Sequence, residues 1–294
     1  MKKRMISGAV YAVLLVSVFM IKVFVPAPWG NIGFDALIYF FSLMGTFEMV
    51  RAMGDAISKP GKRVLTVFAL LCIPACVVCE TLWGYGVECA AALFMALVVV
   101  ALSLLVFCPS TTLSGLGGIL LCGIYPNSLL CVLSLTNHLP EVPVLGNSIL
   151  AMIFVFVVSP VADILAFTFG MTLRKKFPKK LAPASSPNKT VVGFLGGLLG
   201  GALAGAGIYF VNQAICGDFS NMYIQLPLYI VLGLVISLAT VLGDLVESSL
   251  KRHCDIKDMG NIMPGHGGVL DRVDGTMFAT VVVYAVFTLC KLLA

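Results

Sequence analysis

Nine apolar runs follow one another along this chain, and they constrain its fold more than any other feature. The hydrocarbon core of a bilayer is about 30 Å thick, so a helix needs about 20 mostly apolar residues to cross it. The composition agrees, because 60% of the residues are hydrophobic and the mean hydropathy is +1.04, whereas soluble domains are about 45–50% apolar. We therefore predict an all-α integral membrane protein, a polytopic bundle of about nine transmembrane helices. The predicted spans are Met5–Val25, Asp35–Val50, Val64–Trp83, Val87–Phe107, Leu113–Leu135, Val144–Phe169, Val191–Ala214, Leu226–Leu250 and Thr276–Leu293.

The distribution of Lys and Arg predicts the orientation of the chain. Positively charged loops stay in the cytoplasm, and with a cytoplasmic N-terminus all but two of the 19 Lys and Arg residues fall on that side. The exceptions, Lys22 and Lys291, lie at span ends, where a long side chain can snorkel to the interface. We predict a multi-pass protein of the cell (plasma) membrane. Its net charge of +5 fits this orientation and attraction to anionic lipids, and it gives no reason to expect nucleic acid as a partner.

The chemistry of the sequence changes at about Val144. Residues 1–143 are mostly apolar and are predicted to be transmembrane scaffold. Residues 144–294 carry intramembrane acids, a basic loop and a charged segment at 248–275, and they are predicted to be the catalytic region, with that segment on the cytoplasmic side.

Two groups of small residues predict packing rather than chemistry. Gly193, Gly197, Gly201 and Gly205 recur every four residues, so they share one helix face and allow another helix to come close. An intrachain contact is favoured there over a homodimer. Of the 10 cysteines, three share one face of the third span and are interpreted as small hydrophobic residues. They are Cys72, Cys76 and Cys79.

Acidic residues within the spans need a specific reason, because a charge at the centre of a helix in lipid costs at least ~2.5–3.5 kcal/mol. Glu48, Asp163, Asp244 and Glu247 all fall in the predicted cytoplasmic halves of their spans. Glu48 has an equally good explanation as a helix-end ion pair with Arg51. Asp163 has no basic residue within one helical turn. Asp35, by contrast, is predicted to lie at an outer span end that water can reach.

The segment "GDLVESSLKR" places an acid, a hydroxyl and a base on one helix face. Asp244, Ser248 and Lys251 have the spacing i, i+4 and i+7, and Glu247 lies beside them. A simpler alternative is an amphipathic helix end in which Glu247 pairs with Lys251.

The segment that follows concentrates the parts of a phosphate site. Carboxylate clusters suit Mg²⁺, which prefers to share its ligands with a substrate phosphate, and Lys and Arg bind phosphate oxygens. The glycines of "PGHGG" let the backbone approach a ligand closely. A merely solvated loop would also be charged, but it would not explain "PGHGG" or the acids within the spans. The pattern favours phosphoryl or nucleotidyl transfer.

The residues "SSLKRHCDIKDMGNIMPGHGGVLDRVD" closely resemble the signature of the phosphatidate cytidylyltransferases, also called CDP-diacylglycerol synthases. Upstream, "SSPNKTVVGFLGG" resembles the Ser-Pro-x-Lys-Thr element of that family, and "VADILAF" resembles its Ala-Asp segment around Asp163. The resemblance is specific over the second half of the chain and general over the first half.

The resemblance implies an integral membrane enzyme that joins CTP to phosphatidate, giving CDP-diacylglycerol and pyrophosphate, with Mg²⁺ as cofactor. On this basis we hypothesise that Asp244 and Asp271, with Asp274 assisting, hold Mg²⁺ against the CTP phosphates. We assign catalysis to Asp244, Lys251, Arg252, Lys257, His266, Asp271 and Arg272, although His266 has an equally good explanation as a residue that only stabilises the glycine turn. We assign substrate binding to Asp163, Ser186, Lys189, Thr190, Ser248, Asp258, Gly267 and Gly268.

Two alternatives from other functional classes stay open at this point. A transporter could use intramembrane acids as a proton relay, although it would spread them across the membrane. A CTP-dependent polyprenol or lipid kinase would share the loop chemistry but would release CDP.

Overall fold

The computed structural model describes residues 2–142, 145–216, 222–262 and 267–293, and nearly all of them are helical. Within these ranges the helices are α1 (Lys2–Phe24), α2 (Trp29–Met53), α3 (Lys59–Trp83), α4 (Gly86–Phe107), α5 (Leu113–Asn137), α6 (Ser148–Leu173), α7 (Val191–Cys216), α8 (Met222–His253) and α9 (Leu270–Leu293). The helices α2 to α9 are long and apolar enough to cross a membrane, and α1 contains a shorter apolar stretch, Gly8–Phe24. The predicted all-α, multi-pass membrane fold is confirmed.

Several helices extend beyond their apolar runs. The second span was predicted to begin at Asp35, but α2 begins at Trp29 and has 25 residues. The last was predicted to begin at Thr276, but α9 begins at Leu270, with Asp271 in its first turn. An apolar run ends at the first charged residue, whereas a helix continues as long as its backbone is hydrogen-bonded. An acidic side chain in the first turn also stabilises a helix, because its charge interacts favourably with the helix dipole.

A short hairpin was not predicted from the sequence. Strand β1 (Lys180–Ala182) pairs antiparallel with β2 (Ser186–Thr190), with Lys180 opposite Thr190 and Ala182 opposite Ser186. Both strands are short and lie in the basic loop between α6 and α7, and neither is long enough to show an alternating apolar pattern.

The chain divides into two compact units. The N-terminal unit comprises the chain up to His138 together with Cys254–Arg272. The C-terminal unit comprises Leu139–His253 and the chain from Val273 onwards. The middle of the signature, Cys254–Arg272, thus belongs to the N-terminal unit, while its two ends belong to the C-terminal unit.

In the N-terminal unit, the Asn127 side chain replaces a backbone hydrogen bond that α5 loses at Pro126. Pro126 has no N–H, so the carbonyl of Cys122, four residues earlier, loses its usual helical donor. The Asn127 side chain donates to that carbonyl at 3.1 Å and to the Thr46 hydroxyl at 3.0 Å, while Ser42 donates to its oxygen at 2.8 Å. The helix takes a π form at Gly123–Ser128 and continues.

The N-terminal unit also corrects two predictions about outer charges. Lys22 does not snorkel, because only 5% of it is exposed and its ammonium donates to Asn31 Oδ1 and to both oxygens of Asn137 at 2.7–2.9 Å. Asp35 is not open to water either. It is 9% exposed, and it accepts from Asn137 at 3.0 Å and contacts His138 at 2.8 Å. Sequence position at a span end does not show which other helices cover it.

The glycine face of α7 is used within the C-terminal unit. A Cβ added to Gly205 would lie 2.2 Å from the Tyr229 carbonyl oxygen, and one added to Gly201 would lie 2.4 Å from that of Gly233. The α7 and α8 backbones therefore touch at Gly201, Gly205 and Gly233. The preference for an intrachain contact over a homodimer agrees with this packing.

The Gly205→Ala variant should lose stability because its methyl group would overlap the α8 backbone. We expect a cost of about 1–3 kcal/mol, typical of overpacking, seen as a lower thermal transition of the purified protein in detergent. Gly207→Ala is the matched control, because nothing lies within 4 Å of a Cβ at Gly207. Equal transitions for the two variants would contradict the close contact.

Candidate active site

Asp244 is the centre of the polar group in the C-terminal unit. Its Oδ2 atom forms an ion pair with the Lys189 ammonium. Ser248, one turn further along α8, donates to its Oδ1 atom at 3.3 Å. The predicted clustering of Asp244 with Ser248 on one helix face is seen in the structure, and Lys189 joins them from β2.

Two further aspartates surround this centre. Asp163, from α6, is repelled by the charges of Asp244 and Asp274 and attracted by Lys189. Asp274, from α9, lies near Asp244 and Glu247 and accepts from the Gly275 N–H at 2.8 Å. Asp163 has no basic neighbour along its own helix, but the fold supplies Lys189 from a distant strand.

Glu247 and Lys251 form the simpler pair that the sequence allowed. The Lys251 ammonium donates to Glu247 Oε2 at 3.0 Å, and Glu247 is only 1% exposed. This i, i+4 pair fixes the end of α8 next to Asp274. Lys251 therefore has a structural contact in addition to the role that the signature assigns to it.

Close backbone contact brings α8 and α9 together at these acids. A Cβ at Gly243 would lie 2.5 Å from the carbonyl oxygen of Asp274, and one at Gly275 would lie 2.7 Å from Thr240 Cγ2. Each acid thus adjoins a glycine that allows the neighbouring helix to approach, which is why carboxylates on two helices can act on one ligand.

The hairpin and the start of α7 position Lys189. The Val191 N–H donates to the Lys179 carbonyl at 3.0 Å, which closes the hairpin beside Lys189. Thr190 accepts from the Gly193 N–H at 3.1 Å and so caps α7. Ser186 pairs with Ala182 in the hairpin. Thr190 and Ser186, both predicted to bind substrate, therefore also hold the strand that carries Lys189.

A cavity of about 570 Å³ opens next to Asp163, Lys189 and Asp244. Its lining includes charged and polar side chains as well as apolar ones. Arg174 and Asn188, which the sequence did not single out, also line it. A cavity with this mixed lining suits a ligand that has both a phosphate and a hydrocarbon part. It is lined by Asp163, Ala166, Phe167, Gly170, Met171, Arg174, Leu181, Asn188, Lys189, Thr190, Gly193, Phe194, Val241 and Asp244.

In the N-terminal unit, Glu48 holds the signature segment. Its two carboxylate oxygens accept separately from the N–H groups of Val269 and Leu270, at 2.9 and 3.0 Å, and the side chain is fully buried. Gly268 packs against it so closely that a Cβ there would lie 2.5 Å from both oxygens. The Glu48 carboxylate thus accepts from N–H groups at the start of α9 that have no partner within the helix, and its charge interacts favourably with the helix dipole.

Asp271 and Arg51 hold the same segment from other directions. Asp271 Oδ2 accepts from the N–H groups of Met259 and Gly268, at 2.9 and 2.7 Å. Arg51 donates to the Met259 carbonyl at 3.0 Å. Gly267 has a positive φ of 86°, and a Cβ there would lie 2.6 Å from Asp271 Oδ2, so only glycine fits at this turn.

The remaining predicted site residues are placed as follows. Arg252, Lys257, Asp258 and Arg272 have exposed side chains. His266 lies outside the described residues, as do Met263, Pro264 and Gly265. The structural role of Glu48 was missed, because its partners are backbone N–H groups more than 200 positions away. Its place within a span was the only available signal.

The sequence matches the model of the cytidylyltransferase family over residues 2–290. The chain belongs to the cytidylyltransferase family. A phosphatidate cytidylyltransferase of Bacillus subtilis (strain 168) is 35% identical over 98% of this chain and 98% of its own length. One from Staphylococcus saprophyticus is 41% identical over 127 residues, 43% of this chain and 45% of that protein. One from Staphylococcus aureus (strain COL) is 43% identical over 128 residues, with the same coverage. The family deduced from the signature is confirmed.

The carboxylates of this cytidylyltransferase fit a magnesium ion that is shared with a ligand. Asp163, Asp244 and Asp274 repel one another electrostatically, and hard carboxylate oxygens are the ligands that Mg²⁺ prefers. The carboxylate oxygens of these three residues do not all lie within 4.8 Å of one another, so the protein alone does not form a closed metal cage. Mg²⁺ usually takes one or two carboxylates and completes its coordination with water and substrate phosphates.

Replacing Glu48 with Gln should loosen the signature segment. Both oxygens accept an N–H, so the amide group must place its NH₂ against one of these donors and lose that bond. An unsatisfied buried donor costs about 1–3 kcal/mol. We expect the Val269 and Leu270 amides to exchange with deuterium about tenfold faster or more. Glu88→Gln, at an exposed acid, is the control, and unchanged exchange in Glu48→Gln would disprove the capping role.

Proposed function

We propose that this chain is a phosphatidate cytidylyltransferase, which transfers CMP from CTP to phosphatidate in phospholipid biosynthesis. The observation that carries the proposal is the group of Asp163, Lys189 and Asp244 in the lining of a cavity that also has apolar lining residues. Phosphatidate has the matching parts, a phosphate next to hydrocarbon chains. The family and the relatives named above support the same activity.

The reaction needs positioning and charge neutralisation more than it needs a nucleophilic side chain. A phosphate oxygen of phosphatidate attacks the α-phosphorus of CTP and forms a new P–O bond. The bond from the α-phosphorus to the oxygen that bridges it to the β-phosphorus breaks, and pyrophosphate leaves. Several negative charges meet in this step, so cations that hold phosphates contribute directly to the rate.

Residues in different parts of the chain would bind the phosphates of the two substrates. Lys189 and Arg174 on the cavity wall would hold the phosphate of phosphatidate. Four basic residues of the signature would hold the CTP phosphates. These are Lys251, Arg252, Lys257 and Arg272. His266 would orient or donate a proton to the departing pyrophosphate, as the signature resemblance suggests.

Asp244 and Asp274 would hold Mg²⁺, and the signature resemblance assigns Asp271 to the same ion. A bound Mg²⁺ supplies Lewis-acid polarisation of the phosphoryl oxygens and offsets the charge of the leaving group. Lys189 and Lys251 lie beside these acids and limit their mutual repulsion before the ion binds.

The proposed location is the plasma membrane, with the site facing the cytoplasm. The support is the distribution of Lys and Arg along the chain. CTP is a cytosolic nucleotide, and phosphatidate places its phosphate at the surface of the leaflet. Basic residues there would also attract anionic lipids.

The direct test uses the full-length protein in detergent with labelled CTP, phosphatidate and Mg²⁺. We expect cytidine label in the lipid fraction with release of pyrophosphate, loss of turnover on chelation, and recovery when Mg²⁺ is added back. Label recovered as CDP with a newly phosphorylated lipid would identify a kinase instead. Full turnover in excess chelator would disprove the magnesium requirement.

Asp271→Asn should lower turnover by at least about 100-fold, in the range typical for loss of one electrostatic catalytic group. The amide oxygen can still accept both N–H groups that now bind Oδ2, so the fold should be kept while the charge is lost. Thermal stability in detergent checks the fold, and Asp55→Asn, at an exposed acid, is the matched control. Near-normal turnover in Asp271→Asn would show that Asp271 does not bind Mg²⁺.

A further inference from the structure

Three cysteines form a compact cluster inside the N-terminal unit. Cys72 and Cys76 lie one turn apart on α3, and Cys131 reaches them from α5. Their sulfur atoms all lie within 4.8 Å of one another, and the residues are 2%, 0% and 1% exposed. Within the described residues this is the only group of three potential metal ligands that meets this distance. The proposed transfer reaction makes no use of it.

The geometry fits a single ion bound by three sulfurs. Sulfur atoms bound to a metal at about 2.3 Å, spaced evenly around it in one plane, lie about 4.0 Å apart. The observed limit of 4.8 Å leaves only small movements to reach that arrangement. Two ligands come from positions i and i+4 of one helix, so the helix itself fixes their spacing.

The number of ligands and their dry surroundings select the type of ion. Structural Zn²⁺ is almost always bound by four ligands, and cysteines that are at most 2% exposed are closed to the bulk water that could supply a fourth. Thiolates select soft ions, of which Cu(I) is one, and Cu(I) accepts three ligands. The thiol protons leave as the ion binds, and Cu(I) offsets one of the three thiolate charges, which lowers the cost of burying them.

Two further cysteines provide a route into the cluster. Cys79 lies nearly one helical turn beyond Cys76 on α3, and Cys89, near the start of α4, is close enough to interact electrostatically with both thiols. Cys79 and Cys89 are half-buried, whereas the three cluster cysteines are buried. An ion could therefore pass from the half-buried thiols to the buried ones by exchange of one sulfur ligand at a time, starting near the Trp83 end of α3.

We propose that Cys72, Cys76 and Cys131 form a binding site for a soft monovalent metal ion, and that this ion is Cu(I). The site is separate from the candidate active site in its residues and in its chemistry. Its existence does not depend on the transfer reaction, so either proposal can fail without the other.

The test loads the full-length protein in detergent with Cu(I) under anaerobic conditions, in competition with a coloured Cu(I) chelator. We expect about one strongly held copper per chain. The triple variant C72A/C76A/C131A should hold none, and Cys131→Ser alone should bind at least about tenfold more weakly, since even second-shell changes cost 10–100-fold in metal affinity. Cys122→Ala, which alters an equally buried cysteine of α5 outside the cluster, should bind like the parent.

X-ray absorption on the loaded parent protein needs no variant and should show copper bound by three sulfurs. Loss of copper in Cys131→Ser with an unchanged thermal transition of the apo form would support the site even if the triple variant failed to fold. Absence of strongly held copper in the parent would overturn the proposal. Retention of copper by the triple variant, or strong binding of Zn²⁺ but not of Cu(I), would also overturn it.

Discussion

The structure depends on how each charge inside an apolar protein is satisfied. An ionised group within a membrane-spanning helix is costly unless other groups neutralise it or bond to it. Three acids meet this constraint in three ways. Asp35 is held by side chains, Glu48 by two backbone N–H groups and Asp244 by the Lys189 ammonium. Because each acid recruits partners from distant segments, the charges also fix which helices lie together.

The same constraint separates acids that hold the fold from acids that can act on a ligand. Glu48 is fully buried, and each of its oxygens accepts a backbone N–H, so it has a structural role. Asp163 and Asp244 line a cavity together with Lys189, whose ammonium pairs with Asp244 and could pair with a phosphate instead. In the sequence these acids look alike, since each is a carboxylate within a predicted apolar span. Only the partners distinguish them.

The sequence predicted features whose signal is local, and it missed those that depend on distant residues. Apolar runs predicted the transmembrane helices, since a span needs only length and composition. The signature predicted the family, and the i, i+4 spacing of Asp244 and Ser248 predicted that they lie on one helix face. The hairpin that carries Lys189 has no apolar alternation to indicate it. The burial of Lys22 and the approach of Cys131 to Cys72 depend on how α5 packs, which no local pattern encodes.

The signature segment combines structural and chemical roles, and its hydrogen bonds show how to tell them apart. Glu48 uses both oxygens on backbone donors, so any change to it must disturb the loop. Asp271 accepts the N–H groups of Met259 and Gly268 on one oxygen, Oδ2. The side-chain oxygen of Asn at this position could accept the same two bonds without carrying the charge. An alanine at the same position would remove the loop bonds as well. A defect shared by the amide and alanine variants at Asp271 would come from charge, whereas one confined to alanine would come from the loop.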